Sequence, residues 1–134
     1  SEGAGVGLPP VATAEEALAQ LPAPYNTGDL ENGKLKFAMC RSCHTVAEGG
    51  PNGVGPNLYR VFGRPAGSKP DFKYSDAVKA AGFAWDAEKL DHWLQKPKDF
   101  LPGNKMTFVG LPEAKDRIDL IAYLKVQTGT VPAK

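Results

Sequence analysis

Apolar residues recur at helical spacing in several stretches of this chain, and Gly- and Pro-rich segments separate them. Leu30, Gly33, Lys34 and Phe37 follow Asp29, a residue suited to cap the open N–H groups of a first helical turn. The helix they predict runs to Cys40. Ser75 caps a short helix through Ala81, which Gly82 stops. Asp86 caps the next helix, with Trp85 and Leu90 at the two positions of a hydrophobic staple. Leu90, Trp93 and Leu94 share its buried face, and it ends before Pro97. A last helix begins near Pro112, with Glu113 and Asp116 at its positive end and Leu120, Ile121, Tyr123 and Leu124 on its apolar side. Between these lie loops: 48–57, the irregular 58–67 with Val61 and Phe62 as its buried residues, and 96–110. No repeat and no hairpin signal is present, so the pattern predicts an all-α domain with long loops.

Residues 1–27 follow another rule. They are rich in Ala, Gly and Pro, and Pro9, Pro10, Pro22 and Pro24 break any long element. Thr13 and Glu16 form a capping box that allows a short helix over about 14–21. The composition reads as a flexible extension or linker, 1–27, ahead of one domain, 28–134; a segment packed on the domain surface is the alternative. The chain begins at Ser1 rather than Met, which points to processing or trimming.

The length of 134 residues fits one domain with a modest core. A net charge of +1 gives no case for nucleic acid. The charge is uneven: residues 1–27 hold Glu2, Glu15 and Glu16 and no Lys or Arg, which leaves 16 basic and 12 acidic residues in 28–134. A positive body favours an acidic docking surface, in a salt-sensitive way. No apolar run is long enough to span a membrane.

The chemistry sits in Cys40-Arg41-Ser42-Cys43-His44. C-x-x-C-H is the attachment signature of a c-type haem. Residues three and four apart on a helical turn share a face. Both thiols can therefore add to the vinyl groups of one porphyrin, and His44 reaches its iron from the same side. The two cysteines are the only ones in the chain, so a tetrahedral zinc site lacks its ligands, and no βαβ pattern supports a dithiol redox motif. For the sixth iron position the candidates are Met39, Met106, His92, a lysine or no ligand. Met39 adjoins Cys40 and cannot cross to the far face. Met106 lies in a Pro/Gly loop able to wrap that face, and His92 falls on a capped helix among polar residues. His/Met ligation suits electron transfer. A peroxidase or a gas-binding protein would need an open sixth site, and a haem domain of a larger oxidoreductase is compatible with the extension.

Across residues 28–128 the chain resembles the class I c-type cytochromes, which include mitochondrial cytochrome c and similar bacterial carriers. Gly28-Asp29, the Cys40–His44 motif, Gly55-Pro56-Asn57-Leu58, Phe62-Gly63-Arg64, Pro102-Gly103-Asn104-Lys105-Met106 and Leu120-Ile121-Ala122-Tyr123-Leu124-Lys125 follow the family's order. The resemblance implies four to five helices around one covalent haem c, with the first and last helices crossing so that Gly33 and Phe37 meet Leu120 and Tyr123. It implies a His44 bond to the Pro56 carbonyl, His44 and Met106 as iron ligands, and Arg64, Tyr74 and Trp85 near the haem propionates. Trp93 and Phe108 would also line the haem. It further implies a non-enzymatic, monomeric electron carrier between a quinol–cytochrome c oxidoreductase and a terminal oxidase. Covalent haem places such a protein in the bacterial periplasm or, less favoured, the mitochondrial intermembrane space. The Pro/Ala-rich extension resembles the linker of membrane-anchored bacterial cytochromes. There are departures: Trp93 stands where mitochondrial members have Tyr and Val78 where they have Asn, so a polar network beside the methionine would differ here. Lys34, Lys98 and Lys105 match docking lysines, Met39 and Glu113 replace others, and Arg41 is placed to compensate.

Overall fold

A computed structural model describes residues 13–128. The described residues form six α-helices: α1 Ala14–Ala19, α2 Leu30–Phe37, α3 Asp76–Lys79, α4 Ala87–Gln95, α5 Pro97–Phe100 and α6 Ala114–Gln127. A 3-10 turn, Tyr25–Thr27, joins α1 to α2. Among the described residues there is no strand, only an isolated bridge between Pro65 and Ala84. No helix there is long and apolar enough to cross a membrane.

The predicted caps form. The side chains of Thr13, Asp29, Ser75 and Asp86 accept from the backbone N–H of Glu16, Asn32, Val78 and Lys89 respectively. Each satisfies a donor that the helix itself cannot. Helix α3 stops at Lys79, short of Ala81. Pro97, read as a stop, is also a start: it occupies the first turn of α5, where its missing N–H costs nothing. Helices α1 and α5 thus raise the expected four to five to six.

Within the expected extension the structure describes residues 13–27. These residues pack on the domain rather than trail from it. Ala17 and Leu21, four apart, are both buried, and α1 lies against α6. Tyr25 packs on the central core cluster. Two buried apolar side chains and an aromatic ring outweigh the Pro-rich composition. Residues 1–12, the rest of that expected extension, lie outside the described residues.

Helices α2 and α6 cross at close range. A Cβ on Gly33 would run into the Asp119 carbonyl oxygen and sit 2.7 Å from Tyr123 Cβ; one on Gly28 would sit 2.6 Å from Ala122 Cβ. The Phe37 and Tyr123 rings lie 5.7 Å apart. The expected contact is there, although Gly33 abuts Asp119 rather than Leu120. Asp119 is 2 % exposed, and its carboxylate accepts from Asp29 N, Asn32 Nδ2 and Lys115 Nζ at 2.8, 2.8 and 2.6 Å. An anion on α6 therefore holds the positive start of α2. Phe37, Val61, Leu90, Leu94, Leu111, Leu120, Ile121 and Leu124 form the core between α2, α4 and α6. Buried Arg117 ties α6 to α4 through Asp91 at 2.7 Å, and to the carbonyls of Leu111 and Pro112 at 2.8 and 2.9 Å.

Candidate haem site

The Cys40–His44 segment continues α2 as a helical turn. Cys40 N donates to Phe37 O at 2.8 Å, and His44 N to Cys40 O at 2.9 Å. Fixing α2 on α6 thus fixes the orientation of this turn. Burial, with Cys43 beside it, pushes the Cys40 thiol up to about 11. A neutral sulfur is favoured there, and a thioether is neutral.

Residues 53–57 wrap the turn. Gly55 N donates to Cys43 O at 2.8 Å, and a Cβ on Gly53 would lie 2.9 Å from that same oxygen. A Cβ on Gly55 would penetrate the His44 ring, coming 2.6 Å from Nε2. Only glycine lets the backbone pass so close. His44 Nδ1 lies 2.7 Å from Pro56 O. A carbonyl can only accept, so Nδ1 carries the hydrogen and Nε2 keeps its lone pair. Burial lowers the His44 pKa, opposed by the Pro56 bond and aided by the Arg64 charge. The imidazole is therefore held neutral and aimed, the form in which it binds a metal.

Aromatic side chains pack on the same core cluster as Cys40. Trp85, Trp93, Phe62 and Phe108 pack on the core while remaining only half-buried. Trp85 and Trp93 meet edge to face at 5.5 Å, and Phe83 and Phe100 add further edges to the pair. Trp93 thus belongs to an apolar wall. Val78 is half-buried on α3. These surroundings, two thiols and a directed imidazole fit a large flat apolar cofactor bearing a metal.

Arg64, Tyr74 and Met106 are each held by bonds that involve nearby backbone. Arg64 donates to two backbone carbonyls, of Asn57 at 2.9 Å and of Tyr59 at 3.4 Å. The Tyr74 hydroxyl accepts from Lys69 N at 3.2 Å, and its ring meets Phe72. Met106 N donates to Asn104 Oδ1 at 2.8 Å, while Asn104 Nδ2 donates to Pro97 O and Leu101 O at 3.0 and 2.9 Å. The far end of that loop is held where Leu111 N donates to Leu94 O at 2.7 Å. His92 is exposed, its ring 6.1 Å from Phe100.

Three asparagines escaped the sequence reading as separate actors. Asn104 braces the Met106 loop. Asn57, 5 % exposed, donates to Thr45 Oγ1 and Ala47 O and accepts from Tyr59 N. Asn52 Oδ1 accepts from Asn57 N at 2.8 Å. Asn in a Gly/Pro-rich segment signals a side chain bonding to nearby backbone. It does not reveal which backbone.

No family model matches the chain. It is 44% identical over 119 residues to cytochrome c2 of Rhodomicrobium vannielii, spanning 89% of this chain and 95% of that protein. It is 43% identical to cytochrome c of Kluyveromyces lactis, over 78% of this chain and 96% of the relative. The chain is a class I c-type cytochrome. Its fold agrees: the solved structure of cytochrome cH from Methylobacterium extorquens superposes with a TM-score of 0.68 at 43% identity, covering 73% of this chain and 98% of the other. The cofactor of this cytochrome is haem c, attached through Cys40 and Cys43. The cytochrome is a haem-based electron carrier, as its relatives are.

Proposed function

We propose that this cytochrome carries electrons from a quinol–cytochrome c oxidoreductase to a terminal oxidase in the bacterial periplasm, as a monomer with His44 and Met106 as axial ligands. Haem c supplies a one-electron ferrous/ferric couple. The observation that carries the reading is the His44 Nδ1–Pro56 O bond of 2.7 Å, which leaves Nε2 a fixed lone pair beside the two thiols. On the other ligand, Asn104 restrains the Met106 backbone, and both ends of the loop are tied to α4 and α5. A thioether is soft, favours the ferrous state and needs no proton at neutral pH. With His44 and Met106 holding the iron, the haem would exchange electrons and leave no position for a substrate. Trp85 and Trp93 keep water from one side, and Arg64, Tyr74 and Trp85 supply donors for the propionates. The periplasmic setting draws on the bacterial cytochrome c2 relatives and on attachment chemistry that belongs outside the cytoplasm. Residues 1–12 would link the domain to an inner-membrane anchor in the full-length protein.

The test is an optical spectrum of the oxidised protein and of Met106→Ala. A weak red sulfur-to-iron charge-transfer band present in the first and lost in the second is the expected result. If the unmodified protein lacks the band at neutral pH, Met106 is not the stable ligand and the carrier loses its sixth-site argument.

A further inference from the structure

We propose that Asn52 is a positioning residue for His44, acting through the peptide that joins Pro56 to Asn57. The inference rests on His44 being an axial ligand. That peptide is bonded at both of its polar atoms. Its carbonyl, Pro56 O, lies 2.7 Å from His44 Nδ1. Its N–H, on Asn57, donates to Asn52 Oδ1 at 2.8 Å. Hydrogen bonds in such a chain polarise one another. An acceptor at the N–H draws the peptide toward its charge-separated resonance form and puts more negative charge on the carbonyl oxygen. Pro56 O then accepts more strongly from Nδ1–H. The imidazole gains anionic character, donates more strongly through Nε2 and favours ferric over ferrous iron.

The orientation of Asn52 is forced. Asn57 N–H can only donate, and Asp71 O, which accepts from Asn52 Nδ2 at 3.2 Å, can only accept. The amide therefore cannot turn over without losing both bonds. Two separate sets of contacts hold the peptide in place. The Asn57 side chain bonds Thr45 Oγ1 and Ala47 O at 2.7 and 3.0 Å, and Arg64 Nη2 donates to Asn57 O at 2.9 Å. Removing the Asn52 acceptor thus leaves the Pro56 carbonyl anchored and changes mainly its charge. Asn57 and Arg64 fix where the peptide stands, and through it Asn52 sets how firmly the Pro56 carbonyl holds the His44 ring.

The experiment compares Asn52→Leu with the exchange Asn52→Asp/Asp71→Asn in the holoprotein. The exchange keeps net charge constant and puts a carboxylate oxygen at the Asn57 N–H; it gives up the bond to Asp71 O, as Asn52→Leu also does, so that loss is common to both variants. Asp71→Asn alone is the charge control. Two quantities are read at neutral pH: the midpoint potential, and the proton resonance of His44 Nδ1–H in the ferrous protein. Expected is a lower potential and a downfield-shifted proton in the exchange, with a higher potential and an upfield shift in Asn52→Leu. Shifts of the same sign in both variants, or a potential that moves while the proton does not, overturn the proposal. Should Asn52→Leu not fold, the exchange against Asp71→Asn still decides. Failure of the ligand assignment looks different. The His44 ring protons of the unmodified ferrous protein would then lack the displacement that a haem bound at Nε2 imposes, whatever the variants do.

Discussion

The carboxylate of Asp119 has three donors and almost no solvent, and it joins segments some 90 residues apart. Burial alone would raise its pKa. The Asp29 N–H, Lys115 and Asn32 outweigh that and hold it below the ordinary carboxylate value. A carboxylate with a depressed folded pKa stabilises the fold above its unfolded pKa of about 3.9. That stability is lost as pH falls through the folded value. Asp119→Ala leaves the Asp29 N–H and Lys115 without this acceptor and Asn32 Nδ2 with Asp116 alone, at an expected cost of about 3 kcal/mol at neutral pH. Denaturant titrations of the two proteins should differ by that amount at pH 7 and converge toward pH 2; a constant gap would rule out the carboxylate as the source. The sequence hid this residue. Asp within Asp119-Leu120-Ile121 reads as the wet side of an amphipathic helix, and its partners lie at the other end of the chain. Asp29, Ser75 and Asp86 were legible because a cap acts three residues away.

At the scale of elements, locality again decides what could be read. The Cys40–His44 turn carries its chemistry in five adjacent residues. The Pro56 and Met106 loops have no periodicity of their own, and became legible only through motifs in the order of a known family. Helix α1 was legible as a helix and illegible as a packed one, because Ala17 and Leu21 give too small an apolar face to announce a partner. Its contribution is measurable. Leu21→Ala should lower stability by about 2–3 kcal/mol, the usual cost of emptying a buried leucine site. No change in the denaturation midpoint would return residues 13–27 to the status of a tail. Spectra of the haem serve as the control, since the helical elements that α1 touches are α6 and the 3-10 turn Tyr25–Thr27.

For the whole molecule, the informative property is where charge lies rather than how much there is. A net charge of +1 conceals an excess of four positive charges over residues 28–134. Lys98 on α5 and Lys105 beside Met106 are both exposed. Reversing both to Glu should slow electron exchange with an acidic partner by roughly tenfold or more at low ionic strength, and far less at high salt. Stopped-flow rates across a salt series check this, and rates unchanged at low salt would remove these lysines from the docking face. Exposed Met39 and Val109, 52 and 85 % accessible, add apolar positions to the charged exterior.

The α2–α6 crossing also sets an order of events. Cys40 comes three residues after the end of α2, yet the core cluster it packs against contains Leu120, Ile121 and Leu124 near the end of the chain. A growing or translocating polypeptide therefore presents the Cys40–His44 turn long before it can close that core. The delay leaves both thiols within reach of whatever machinery joins them to porphyrin. Lateness of the last helix thus works as a timer. A chain truncated after residue 112 should still acquire covalent haem in a cell that attaches it to the full-length chain, read as haem that stays with the denatured polypeptide; no covalent haem on the truncated chain would mean that attachment waits for the final helix.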